Sequence, residues 1–220
     1  NEVPLIYASS ASVYGSEGPF VESRENEQPL NAYAYSKTLF DRYAFGESRP
    51  ASPQLVGLRY FNVYGPREAH KGRMASVAWH LTRQYFESGS VRLFEGSDGY
   101  QAGEQRRDFI HVDDVVKANL FFLDNPEKSG IFNVGTGKAG TFNDVALAVI
   151  NACREIDGKP KLLLEEACRE ELLGYFPMPD ALVGKYQSYT EADISHLKAT
   201  GFSNNSLDVE EGVGRYARQL

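Results

Sequence analysis

Cysteine is nearly absent from the 220-residue chain, which has only Cys153 and Cys168. Two cysteines make no disulfide framework and no zinc ligand set. No metal is therefore expected, and a reducing cytoplasm is the simplest location. Positive charge is also short. Lys and Arg number 23 against 30 Asp and Glu, a net charge of −7, which argues against a nucleic-acid or an anionic-membrane partner. No apolar run approaches the roughly 18 residues a membrane span needs. The first residue is Asn, not Met, and no basic segment with an apolar core opens the chain. What remains is ordinary globular composition, 42% hydrophobic and 24% charged, which excludes wholesale disorder and collagen-like repeats.

Residues 3–9, Val-Pro-Leu-Ile-Tyr-Ala-Ser, read as a strand covered on both faces. Such a strand needs a neighbour on each side, so the expectation is a fragment that begins inside a domain. Further on, helical patterns alternate with strand patterns. A helix is expected over 32–47, a strand over 54–61 and a helix over 74–87. Short strands follow at 91–94 and 108–112. Asp113 or Asp114 caps the next helix. A strand at 130–134 precedes a helix beginning after Thr141, residues 161–164 suggest another strand, and the last helix starts near Leu207. This alternation predicts an α/β fold with a mostly parallel sheet.

Three segments carry the chemistry: Ala8-Ser-Ser-Ala-Ser-Val-Tyr-Gly15, Tyr33-Ala-Tyr-Ser-Lys37 and Arg59-Tyr-Phe-Asn-Val-Tyr-Gly-Pro66. Tyr33 and Lys37 are four apart on a predicted helix, so both leave the same face. A tyrosine ionises near pH 10, and lowering that by three units requires roughly 4 kcal/mol. A lysine ammonium at about 4 Å supplies about that much in a partly buried site. Ser10, ending the first strand, is placed to hydrogen-bond the same substrate hydroxyl. Such a site removes a proton from an alcohol while hydride leaves to a nicotinamide. A lone Tyr-x-x-x-Lys is common in helices; the ordered combination of all three segments is not.

At these residues the chain resembles the extended short-chain dehydrogenase/reductase superfamily, whose members modify nucleotide sugars. The resemblance implies that Tyr33 and Lys37 are the catalytic pair and Ser10 their helper. It also implies a Rossmann-like doubly wound parallel sheet, with its N-terminal half missing, and a smaller α/β substrate-binding domain. Residues 1–66 and 106–128 would belong to the first, 67–105 and 129–220 to the second. The missing strand–helix–strand units, with the Gly-rich fingerprint, would amount to roughly 90–100 residues.

Tyr64-Gly-Pro-Arg-Glu-Ala-His-Lys-Gly-Arg-Met-Ala-Ser-Val-Ala-Trp-His80, Leu93–Ser97, Arg107–His111 and Lys185–Thr190 are similar to the ADP-heptose 6-epimerase branch, with His70-Lys71-Gly72 as the discriminating piece. That likeness implies conversion of ADP-D-glycero-D-manno-heptose to ADP-L-glycero-D-manno-heptose for lipopolysaccharide core synthesis. Carbon 6 is oxidised to a ketone by bound NADP (NAD is possible) and then re-reduced from the opposite face. Lys71 would be a second acid/base across from Tyr33, and would also contact the cofactor alongside Lys37 and Val63. Asn62, Arg73, His80, Phe94, Glu95, Gly96, Ser97, Arg107 and Tyr186 would contact substrate, although an Arg at 73 departs from the small residue expected there. A homo-oligomer is implied for the full-length protein. Another nucleotide-sugar 4-epimerase or 4,6-dehydratase, or a non-catalytic ADP-sugar-binding fragment, remains an alternative.

Two segments stand apart. Against the family pattern, residues 98–105 look like an insertion of about five Gly and polar residues beside the diphosphate position. Gly135-Thr-Gly-Lys-Ala-Gly140 is a literal G-x-G-x-x-G. The Thr141/Asp144 capping box starts the helix beyond the third Gly, so this segment is expected to be a structural turn.

Overall fold

The computed structural model describes residues 3–16, 18–46, 53–179, 187–203 and 205–220. In chain order its elements are β1 (Leu5–Ser10), α1 (Ala32–Ala44), β2 (Leu55–Tyr60), β3 (Asn62–Tyr64), α2 (Val77–Ser88), β4 (Val91–Phe94), β5 (Arg106–Arg107) and β6 (Phe109–His111). They continue with α3 (Val112–Asp124), β7 (Gly130–Val134), β8 (Gly140–Thr141), α4 (Phe142–Ile156), α5 (Leu164–Arg169), β9 (Leu173–Phe176), α6 (Ser195–Ala199) and α7 (Val209–Ala217).

The expected α/β architecture with a parallel sheet is present. Strands β1, β2 and β7 lie side by side in that order, with Ala8 opposite Leu58 and Leu58 opposite Phe132. β2 is buried along nearly its whole length, which is why Leu-Val-Gly-Leu reads as an unbroken apolar run. β1 is the edge of this sheet and fully buries only Ser9, so the expectation of a strand covered throughout does not hold within the described residues. β7, just past the expected 128/129 boundary, hydrogen-bonds along β2. Two further parallel pairs, β3 with β6 and β4 with β9, and one antiparallel pair, β5 with β8, complete the strands.

The larger buried apolar cluster is built around α4. Val145, Val149, Ile150 and Cys153 pack against Leu81 of α2, Val91 and Leu93 of β4, and Val213 and Tyr216 of α7. The Thr141/Asp144 capping box starts this helix as expected. A second cluster, including Val56, Leu58, Phe122, Phe132 and Val134, lies beside the parallel sheet.

Three sequence expectations need correction. Residues 161–164 form no strand. The Asn151 side chain satisfies both backbone groups of Leu162, at 2.9 and 3.0 Å, and the partner of β4 is β9. Helix α3 is capped by His111, whose Nδ1 accepts the Asp113 N–H at 3.2 Å. The helix expected from residue 74 starts at Val77, with Ser76 as its cap, because a 3₁₀ stretch over Ala69–Met74 and Gly72 at φ 55° break the chain before it.

Candidate active site

β1 ends at Ser10, and the chain turns at once into a 3₁₀ helix over Ala11–Tyr14. The Ser10 hydroxyl oxygen caps that turn, accepting from Ser12 N at 3.2 Å and from Ser12 Oγ at 2.9 Å. Helix α1 opens at Asn31, whose side chain accepts the Ala34 N–H. Its first turn presents Tyr33, 57% exposed, and its second presents Lys37. The Lys37 ammonium donates to the Ala8 carbonyl at 3.0 Å and stands 5.7 Å from the centre of the Tyr33 ring. The helix pair and the end of β1 are therefore held together as the spacing implied.

Opposite α1, a cavity of about 580 Å³ opens. Tyr33 and Ser12 line one side of it, Asn62 and Val63 of β3 another, and Lys71 and Met74 a third, with Arg107 and Phe142 also on the wall. Of the expected catalytic residues, Tyr33 and Lys71 share this cavity; Ser12 rather than Ser10 reaches its lining. Arg107 is almost fully buried; its Nη1 donates to the Arg106 carbonyl and its guanidinium lies 5.8 Å from the Phe142 ring centre.

A second cavity of about 440 Å³ shares Ala75, Val77 and Phe142 with the first. It is lined by Arg73, His80, Phe94, Phe176 and Gln105. Three expected substrate contacts, Arg73, His80 and Phe94, thus gather in this adjoining space, and the first cavity holds Asn62 and Arg107. Glu95, Gly96 and Ser97 line neither cavity. Residues 100–105 fold back on them. Gln105 Nε2 donates to the Glu95 carbonyl and to Ser97 Oγ, Tyr100 N donates to the Ser97 carbonyl, and Gly103 N to the Phe94 carbonyl. Tyr186 lies outside the described residues.

Sequence reasoning missed Glu68. It is 3% exposed, lines the first cavity and faces Lys71 across 3.8 Å. A lone acid within the basic run Arg67, His70, Lys71 and Arg73 was the available signal. It also missed Asp108, which settles the Gly135–Gly140 motif. The Asp108 carboxylate, 0% exposed, accepts Thr136 N and Oγ1 at 2.7 Å, Gly137 N at 2.9 Å and Ala192 N at 3.1 Å. The chain's own anion fills the turn that would otherwise cradle a phosphate. Burial pushes the Asp108 carboxyl up, against these hydrogen bonds.

Residues 1–135 match the model of the NAD dependent epimerase/dehydratase family. The chain belongs to that family. Among its curated relatives, the ADP-L-glycero-D-manno-heptose-6-epimerase of Thiobacillus denitrificans is 58% identical over 216 residues, 98% of this chain. The chain spans 65% of that relative's length. A solved Helicobacter pylori ADP-L-glycero-D-manno-heptose-6-epimerase is similar in fold, with a TM-score of 0.74 and 32% identity over 99% of this chain and 60% of that one. The Thermus thermophilus UDP-glucose 4-epimerase, solved with NAD, gives 0.70 and 26%, covering 97% and 62%. Tyr33 and Lys37 lie on α1, where Lys37 reaches the Ala8 carbonyl near the C-terminal end of β1, and the C-terminal ends of parallel strands are where open α/β sheets place ligands.

Proposed function

We propose that this chain is the part of an NADP-dependent epimerase that interconverts ADP-D-glycero- and ADP-L-glycero-D-manno-heptose at carbon 6. The observation that carries this reading is the shared cavity of Tyr33 and Lys71, two proton-transfer groups from separate elements. Inverting a carbinol centre by oxidation and re-reduction needs a proton removed on one face and returned on the other, and one group on one face does not readily serve both.

The residues present fit a nicotinamide dinucleotide. The Lys37 ammonium has three N–H donors and gives one to the Ala8 carbonyl, leaving donors for ribose hydroxyls. Val63 supplies an apolar wall to the cavity that Tyr33 and Lys71 share, whose lining does not include Lys37. A nicotinamide cofactor bound there, held by Lys37 and Val63, would supply the hydride acceptor and donor for carbon 6. NADP is favoured over NAD on the likeness to the heptose branch alone. Tyr33, as its phenolate, accepts the proton of the carbon-6 hydroxyl and is left as the neutral phenol, and the Lys37 charge stabilises that phenolate before transfer. The Ser10 or Ser12 hydroxyl holds the substrate oxygen for transfer. Lys71 gives or takes the proton for the other epimer. Arg107 offers a forked guanidinium to the diphosphate, with Asn62 beside it. The second cavity, with Phe94, Phe176, His80 and Arg73, suits the adenosine end by stacking. The reading carries with it a cytoplasmic, homo-oligomeric full-length protein; no helix among the described residues is long and apolar enough to cross a membrane.

Incubation with ADP-D-glycero-D-manno-heptose and NADP, followed by proton NMR of the sugar, tests this directly. Appearance of the L-epimer, lost in Tyr33→Phe and in Lys71→Met, is the expected result. Turnover of UDP-glucose instead would move the protein to the 4-epimerase reading. ADP-sugar binding without any turnover would favour the non-catalytic one.

A further inference from the structure

The loop between β3 and α2 carries Lys71, and its side chains are largely exposed, so something must hold the lysine at the cavity wall. One buried side chain does so from inside the loop. Glu68 Oε2 accepts Ser76 N at 2.7 Å, while Oε1 accepts Ser76 Oγ at 2.7 Å and Gly65 N at 3.4 Å. These contacts tie the first residue after β3 to the cap of α2. Gly65 has φ 145°, and a Cβ there would meet Val112 Cγ1 at 2.5 Å, so the loop's entry is itself confined. The Glu68 backbone carbonyl accepts Lys71 N at 2.9 Å, and its carboxylate faces the Lys71 ammonium at 3.8 Å. Burying a carboxylate is costly unless it is paired and hydrogen-bonded, and Gly65, Lys71 and Ser76 all belong to this loop or its two ends.

We infer that Glu68 is the positioning residue for Lys71: it clips the loop 65–76 shut and orients the lysine ammonium towards the cavity. The inference rests on the proposed two-base reading for its catalytic meaning, but the clip stands on the hydrogen bonds to Gly65 and Ser76, with the Tyr216 side chain of α7 facing Glu68 from outside the loop.

Two measurements test it. Trypsin has three sites in the loop, Arg67, Lys71 and Arg73. In Glu68→Ala, cleavage there should rise by about tenfold or more, through local opening, while cleavage at Lys128 and Lys161 stays at the wild-type rate. Equal acceleration at all sites signals global loosening and overturns the clip, as does no acceleration anywhere. The second measurement is single-turnover cofactor reduction from each heptose epimer separately. Glu68→Gln should slow one epimer by about 10²-fold through misplacement of Lys71, leave the other within about threefold, and change KM little; Glu68→Asp should restore part of the lost rate. Equal slowing of both epimers would mean a merely structural role and sink the assignment. If the wild-type protein reduces cofactor with neither epimer, the epimerase reading fails, and the proteolysis ratio still decides the clip.

Discussion

Asp41 follows Lys37 by one helical turn on α1, and its carboxylate accepts Arg59 Nε from β2 at 3.0 Å, with both side chains 1% exposed. The same carboxylate accepts Tyr7 Oη and Ser9 Oγ from β1, each at 2.9 Å. Glu27 pairs with Arg59 Nη2, the nitrogen that also faces Asp41, and the guanidinium lies 5.0 Å from the Tyr14 ring centre. One acid thus fixes the height of α1 against the two strands whose ends form the site. Removing one partner of a buried ion pair leaves the other charge uncompensated, so Asp41→Ala should cost about 3–5 kcal/mol. Urea unfolding measures it. A double variant that replaces Arg59 by Met as well should recover part of the loss, and failure to do so would show that the pair is not the source.

Tyr33 stands at the opposite extreme. It is exposed and its partners are few, so Tyr33→Phe should leave stability within about 0.5 kcal/mol. On the proposed mechanism, loss of its proton transfer should lower kcat by roughly 10²–10⁴-fold. A large fall in stability with activity retained would show that the hydroxyl is a structural group.

His111 sets a pH dependence. It is 2% exposed, and its Nδ1 caps α3. Burial is the main cause that lowers its pKa below the ordinary 6.5, against the opposing charges of Asp113 and Asp114 and with those of Arg215 and Lys117. The unfolded chain takes up a proton near 6.5, where the native imidazole does not. Its contribution is therefore complete above that pH and is lost as pH falls towards the native value. His111→Asn keeps a good capping side chain and removes the titration. Between about pH 7.5 and pH 5 the wild-type urea midpoint should fall more than that of the variant. Parallel curves would place the buried proton elsewhere.

What could be read from the sequence follows from how each feature is encoded. Tyr33 and Lys37 are legible because helical spacing alone puts them on one face, and β2 because burial on both sides leaves a continuous apolar run. Lys71 is legible only by resemblance, since a lysine in a basic loop has no periodicity to give it away. Glu68 and Asp108 are harder still. Each is an acid whose burial is compensated by backbone N–H groups of a turn, and local sequence does not show where those groups will point. β9 hides for another reason: its partner β4 is far away in sequence, and the acidic run before it, which forms α5, reads as a solvated helix. Residues 161–164 mislead because Asn151 imitates a neighbouring strand.

The loop at 98–105 gives the last prediction. Gly96 has no room for a side chain, because a Cβ there would stand 1.9 Å from the Tyr100 carbonyl oxygen, which is backbone and cannot swing aside. Ser188 Oγ donates to Asp98, and Asn143 Nδ2 donates to the Ala102 carbonyl at 3.0 Å, so the loop is tied at both ends. Gly96→Ala must therefore displace the loop, at about 1–3 kcal/mol. Gly103 and Gln105 of that loop line the second cavity. If this cavity takes the adenosine end, ADP affinity by calorimetry should fall by about tenfold, or about 1.4 kcal/mol. Amide exchange across 98–105 should quicken in the same variant. Faster exchange with unchanged ADP affinity would separate the two: the loop would have moved, and the nucleotide would have to bind elsewhere than in the second cavity.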